Sequence, residues 1–166
     1  MKKGSAIKLM VFDVDGVLTD GSVYVDSRGR ENKRYKLTEI DSLNDIKNIG
    51  ILIGAITGED TPIVDVFEKK VGWDFFVRGC KNKLESLKII EKKLGLESQN
   101  IGYIGDGKYD IECITYAGLG VCPQNAIFDV KNVSDVVLSG FGGDSCIYEL
   151  LYLLKKINGD QNDRID

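Results

Sequence analysis

Short apolar runs separated by helix-length amphipathic stretches constrain this chain more than any other feature. Residues 7–12, 51–56, 101–104 and 119–122 are apolar segments too short for buried helices and without the strict alternation of a half-exposed strand. Such runs read as strands covered on both faces, as in a parallel sheet. Between them lie stripes at helical spacing. Ile40, Leu43, Ile46 and Ile49 are closed by Gly50; Ile63, Val66, Phe67 and Val71 follow Pro62; Leu84, Leu87, Ile90 and Leu94 are closed by Gly95. Residues 74–77 and 135–138 add short strands, 109–117 and 126–130 short helical pieces. A last helix over about 145–157 buries Ile147, Leu150, Leu151, Leu154 and Ile157. This alternation predicts a doubly wound, mainly parallel, Rossmann-like α/β sheet with right-handed crossovers. A single domain over residues 1–157 is expected, followed by a disordered polar tail at 158–166.

One stretch breaks the alternation. Residues 21–37 are extended and alternate around Gly29, which predicts a protruding β-hairpin. It carries too few apolar residues to stand alone, so it should pack on the body or on another subunit.

Composition removes several classes of function. The net charge is −4 with acids and bases interspersed, which excludes a nucleic-acid footprint and a basic membrane patch. No apolar run approaches the roughly 18 residues of a membrane span, and the chain is expected in the cytoplasm. Cys80, Cys113, Cys122 and Cys146 form no C-x-x-C pair and read as reduced packing residues. The sequence has no histidine, which removes Ser-His and Cys-His nucleophiles and imidazole ligands together. The chemistry left to it uses carboxylates, lysine, hydroxyls, backbone groups and a hard cation.

The strand ends say where that chemistry sits. The first run passes directly into Asp13-Val-Asp15-Gly16, the second into Thr57-Gly58, and a later one into Gly105-Asp106. Ligands of doubly wound sheets bind beyond the carboxyl ends of the strands, where strand order reverses. A carboxylate taken from water without a partner is costly, so these acids should meet a cation. Taken singly, Asp-x-Asp-Gly is a polar turn, Thr57-Gly58 a helix entry and Lys83 a solvated lysine. Their joint placement at the ends of one sheet favours an active site.

The order Asp13-Val-Asp15-Gly-Val-Leu-Thr-Asp-Gly21, Thr57-Gly58, Lys83, then Asp106 with Asp110 resembles the phosphatases of the haloacid dehalogenase superfamily, over almost the whole chain. The resemblance implies Asp13 as nucleophile, Asp15 as general acid and base, Thr57 and Lys83 as phosphate holders, and Asp106 as a magnesium ligand. Mg2+ prefers hard oxygens and keeps several waters, so Asp13, the Asp15 carbonyl and Asp106 are sufficient protein ligands. Asp110 either orients metal-bound water or pairs with Lys83.

Only 30 residues, 21–50, separate Asp20 from the strand at 51–56, too few for a cap domain. Capless architecture, the hairpin and the Gly142-Gly143 loop resemble the superfamily branch acting on 3-deoxy-D-manno-octulosonate (KDO) 8-phosphate. That likeness implies a homotetramer in which hairpins associate and a neighbour closes the site over a small sugar phosphate. Three positions depart from the branch. Gly107 stands where a second acid is common, no Arg follows Gly142-Gly143 before Arg164, and Glu59 stands where the branch tends to carry Arg. An acid at Glu59 looks like the phosphatases of nine-carbon, sialic-acid-like nonulosonate 9-phosphates. Gly58, Glu59, Arg78 and Lys81 are the expected substrate contacts, the last two for a carboxylate. Two other readings are a phosphoacceptor domain and a noncatalytic domain supporting an acylneuraminate cytidylyltransferase in a nucleotide-sugar pathway.

Overall fold

A computed structural model of the chain describes residues 5–162, with side chains to residue 159. In chain order it contains β1 (Leu9–Phe12), β2 (Tyr24–Val25), β3 (Glu31–Asn32), α1 (Leu37–Asn48), β4 (Leu52–Ile56), α2 (Pro62–Lys70) and β5 (Phe75–Val77). These are followed by α3 (Lys83–Leu94), β6 (Ile101–Ile104), α4 (Ile111–Tyr116), β7 (Leu119–Cys122), α5 (Phe128–Val133), β8 (Val136–Val137) and α6 (Cys146–Asn162). Six strands form one parallel sheet in the order β5-β4-β1-β6-β7-β8. β1 is central, with Leu9 opposite both Leu52 and Ile101. The chain winds outward from β1 through β4 to β5, then crosses back to lay β6 on the other side. Strand order therefore reverses between β1 and β6, and the crevice beyond their carboxyl ends is the ligand position of such folds.

The period of two along β1 divides the core. Met10 and Phe12 pack with Leu43, Ile46, Leu150 and Leu154 on the α1/α6 face. Leu9 and Val11 pack with Leu87, Tyr103, Cys113 and Val130 on the α3/α4/α5 face. All four cysteines are unpaired, and Cys113, Cys122 and Cys146 are buried.

Several boundaries differ from expectation for local reasons. Val66 is 41% exposed because Val64, Phe67 and Val71 form the buried stripe of α2, and residue 66 lies about 100° around the helix from 67. Leu94 is 40% exposed in the last turn before the left-handed Gly95 cap, where α3 leaves the core. The helix expected at 109–117 opens as a 3-10 turn at Lys108–Asp110. α6 runs to Asn162 and so takes in the start of the expected tail; residues 163–166 lie outside the described residues. The Asn158 amide accounts for part of this extension. Its oxygen accepts from Ile7 N–H at 3.0 Å and its nitrogen donates to Ile7 C=O at 2.9 Å, tying α6 to the chain entering β1.

The start of α6 is also fixed. Buried Glu39 of α1 accepts from the backbone N–H groups of Ser145 (2.9 Å) and Ile147 (2.7 Å). Ahead of it, Gly142 and Gly143 press backbone against the loop after β1. A Cβ on Gly142 would lie 1.8 Å from the Gly16 carbonyl oxygen, and Gly143 N–H donates to Val17 C=O at 2.8 Å. The hairpin forms as expected, with Tyr24 opposite Asn32, and leaves Val23, Tyr24 and Val25 exposed. It is held to its own chain by ion pairs, among them Arg34 with Asp20 and Lys36 with Asp144. Among the described residues no helix is long and apolar enough to cross a membrane.

Candidate active site

Asp13 follows β1 directly, and its N–H continues the ladder to Ile104 C=O at 3.0 Å. Its carboxylate is buried; Oδ1 accepts from Val14 N–H at 2.7 Å and lies 2.9 Å from Lys83 Nζ. Lys83 is the first residue of α3, which is capped by Asn82 accepting from Glu85 N–H. From there it reaches inward, with Nζ also 2.8 Å from Asp110 Oδ1. Asp110 accepts in addition from Tyr103 OH at 2.8 Å and from Gly107 N–H at 3.0 Å. Of the two expected roles for Asp110, the pairing with Lys83 is therefore present.

Asp106, just beyond β6, completes a group. Carboxylate oxygens of Asp13, Asp106 and Asp110 lie within 4.8 Å of one another. Gly16 makes the close approach possible. Its φ is +81°, and a Cβ there would fall 2.1 Å from Asp106 Oδ2. The electrostatics are those of an acid cluster short of positive charge. Burial, then Asp110, pushes the Asp13 carboxyl well above the ordinary range despite Lys83. Burial and Asp110 likewise push Asp106 up to about 6. Burial works against the Lys83 ammonium, but Asp13 and Asp110 outweigh it and raise its pKa. Three hard oxygen donors sharing one lysine fit a divalent cation such as magnesium.

Asp15 is placed differently. Its side chain lies outside that cluster, with Oδ1 2.7 Å from Lys33 Nζ and 3.4 Å from Thr19 Oγ1. Thr19, fully buried, also accepts from the N–H groups of Gly16 and Gly21, which sets the turn after β1. Lys33 pairs as well with Glu59, which accepts from Thr61 Oγ1 at 2.6 Å. Burial raises the pKa of Asp15 more than Lys33 lowers it. For Glu59, Lys33 and Thr61 overcome burial and hold the carboxyl at about 2.

A cavity of about 440 Å3 opens over these groups and brings together Asp13, Asp15, Thr57, Gly58, Glu59, Lys81 and Lys83. Thr57 is held at the end of β4 by its N–H on Val77 C=O at 2.8 Å. Arg78 is not part of the cavity. Its guanidinium is engaged by Asp60, Asp65 and Glu68 and donates to Thr61 C=O at 3.1 Å, so acids around α2 draw it away. The expected Arg78 contact to a substrate carboxylate is thereby corrected.

Sequence reasoning passed over Lys33, Tyr103 and Tyr109. Tyr103 had a signal, since a phenol inside a buried strand needs a hydrogen-bond partner. Tyr109 lines the cavity while remaining 70% exposed, and its position in a 3-10 turn is invisible to helical periodicity. Lys33 is one of three basic residues within Lys33-Arg34-Tyr35-Lys36, and no local pattern marks which turns inward.

Comparison with known proteins agrees with the fold. The family described as haloacid dehalogenase-like hydrolase matches residues 29–140. The 3-deoxy-D-manno-octulosonate 8-phosphate phosphatase of Haemophilus influenzae is 28% identical over 153 residues, covering 92% of this chain and 85% of that protein. The solved Moraxella catarrhalis phosphatase of the same description, in complex with magnesium ion, phosphate ion and KDO, is 33% identical. It superposes with a TM-score of 0.87 over 96% of this chain and 91% of that one. A cobalt-bound Haemophilus influenzae structure is 27% identical with a TM-score of 0.86, covering 96% and 94%. With a match across residues 29–140 and likeness along nearly its whole length, the chain belongs to the haloacid dehalogenase-like hydrolases.

Proposed function

We propose that this phosphatase hydrolyses a sugar-acid phosphate with magnesium, through a phosphoryl group carried transiently on Asp13. The observation that carries the reading is the buried Asp13–Lys83–Asp110 arrangement beside Asp106, facing a cavity that also holds Thr57 and Asp15.

An Asp13 oxygen attacks phosphorus, the ester P–O bond breaks, and Asp15 gives its proton to the leaving alkoxide. Water, losing a proton to Asp15, then attacks phosphorus; the bond to Asp13 breaks and phosphate leaves. Lys83 holds Asp13 Oδ1, so the nucleophile enters the reaction already oriented. Lys83 and the Thr57 hydroxyl oppose charge on the transferring oxygens. Magnesium would be held by Asp13, the Asp15 carbonyl and Asp106, with Asp110 in the same acidic group, and would supply the positive charge that lets two anions meet.

The relatives named for 3-deoxy-D-manno-octulosonate 8-phosphate supply the first substrate to test. Glu59 at the cavity rim supports the longer nonulosonate 9-phosphates as the second, accepting hydrogen bonds from hydroxyls. With Arg78 engaged elsewhere, Lys81 is the lysine of the cavity left to meet the carboxylate. A phosphoacceptor domain would need an acid at the end of the third parallel strand, and β5 ends in Val77. The exposed Val23, Tyr24 and Val25 support a homotetramer joined through hairpins, with a neighbour closing the site.

The test is phosphate release by purified protein with magnesium from KDO 8-phosphate, a nonulosonate 9-phosphate and glucose 6-phosphate. Release from one of the ulosonates, lost in D13N, is expected. Inertness toward every ester, or activity unchanged in D13N, removes the reading. Sedimentation at micromolar concentration checks the tetramer.

A further inference from the structure

The hairpin brings into the site a charge that the hydrolytic scheme above does not use. Lys33 follows β3, and its side chain is only 5% exposed although the hairpin around it is open to solvent. Immobilising a lysine and stripping water from its ammonium are both costly, so the arrangement persists only where its partners are good. Those partners are Asp15 Oδ1 at 2.7 Å and Glu59 Oε2. Each is braced from another direction: Asp15 by Thr19 Oγ1, Glu59 by Thr61 Oγ1 and by its own N–H on Thr57 Oγ1. Asp15 itself is 36% exposed, so without Lys33 only a 3.4 Å contact to Thr19 and a hydrogen bond shared with the Glu59 carboxyl, which Lys33 itself holds, would select its rotamer. General acid catalysis requires the acid to stay within hydrogen-bond reach of the leaving oxygen.

We propose that Lys33 is a positioning residue for Asp15: its ammonium, shared with Glu59, holds that carboxylate at the open side of the Asp13 pocket, so that docking of the hairpin aligns the acid. This rests on the phosphatase reading. Lys33 gains and loses no proton in the step; Asp15 gives its proton to the ester oxygen as the P–O bond breaks.

Leaving groups provide the test. An ulosonate phosphate leaves as an alkoxide that needs the proton, whereas 4-nitrophenyl phosphate leaves as a stable phenolate that does not. The value of kcat/KM reports the phosphoryl transfer to Asp13 for both. With whichever ulosonate phosphate the wild type cleaves faster, K33M is expected to lose at least about tenfold in kcat/KM, against less than about threefold for 4-nitrophenyl phosphate. K33R, which keeps a cation for the two carboxylates, is expected to return the alkyl ester to within about fivefold of wild type. Equal losses on both esters, no loss on the alkyl ester, or K33R no better than K33M would overturn the proposal. Should K33M fail to fold, K33Q carries the same comparison. A wild type inert to both esters sinks the phosphatase reading itself, and one active only on the aryl ester sinks the sugar-phosphate reading; the proposal falls with either.

Discussion

Lys83 and Lys33 each stand between two carboxylates, Asp13 and Asp110 for one, Asp15 and Glu59 for the other, yet they are held in opposite ways. Lys83 starts a helix packed on the sheet, and its partners are buried, Asp13 at the end of β1 and Asp110 in the turn that opens α4; Asp110 is 1% exposed. Lys33 sits on a two-stranded arm with little apolar contact, and its partners are 36% and 20% exposed. The first group is part of the folded core, and removing a member strands buried charge. The second is a tie between an arm and the body, which water can replace. The same chemical motif thus serves rigidity in one place and alignment in the other.

The largest effect expected on this contrast is at the nucleophile. D13N should lower kcat by roughly a thousandfold or more, since no other group can take over the covalent step. D15N should lose about a hundredfold on alkyl esters, measured by steady-state phosphate release. Retained D13N turnover would break the division between the two groups.

Next in size is stability. K83M should lower metal-free stability by roughly 3 kcal/mol, because Asp13 and Asp110 lose their shared cation; for a domain of this size that is about 6–12 °C in the thermal midpoint. K33M should shift the midpoint by less than about 3 °C. Equal shifts in calorimetry would erase the distinction between core and tie.

Asp106 adds a pH signature. Its pKa of about 6 in the fold exceeds the unfolded carboxylate value, so the metal-free fold binds this proton more tightly than the unfolded chain. Stability is therefore fully supported below the ordinary carboxylate range and declines as pH rises through about 6. The loss at pH 7 is on the order of 3 kcal/mol, or about 6–12 °C. Magnesium should restore it in the wild type, whereas D106N should show neither this loss nor the gain, read as thermal midpoints with and without the cation.

The smallest effect is expected at Glu59. E59Q should change KM for the preferred ulosonate by about three- to tenfold while leaving the thermal midpoint within about 2 °C. Unchanged relative rates on KDO 8-phosphate and a nonulosonate 9-phosphate in E59R would remove Glu59 as a specificity residue.

Much of this architecture was legible because fully buried parallel strands announce themselves as short apolar runs, and Asp13, Thr57 and Asp106 stand directly at their ends. Lys83 was legible only through the resemblance to the haloacid dehalogenase phosphatases, since a first-turn lysine taken alone reads as solvated. What escaped depends on pairing at a distance. Arg78 reads as pointing at the crevice from a strand end, but Asp60 and Asp65 capture it across the β4–α2 turn. Asn158 reads as the start of a polar tail, yet it fastens α6 to Ile7. Lys33 reads as one more solvated charge, because nothing within the hairpin records the acids it will meet.

The backbone contact of Gly142 and Gly143 with the loop after Asp15 has a consequence for how the molecule is made. Asp13 and Asp15 leave the ribosome well before the segments that frame them: β1 lacks its β6 neighbour until residue 104 has emerged, and the turn after it lacks its brace until residue 143. Over that interval the two carboxylates are without the framework that orients them. The segment around Asp13 and Asp15 therefore acquires its final shape only after residue 143 has been made.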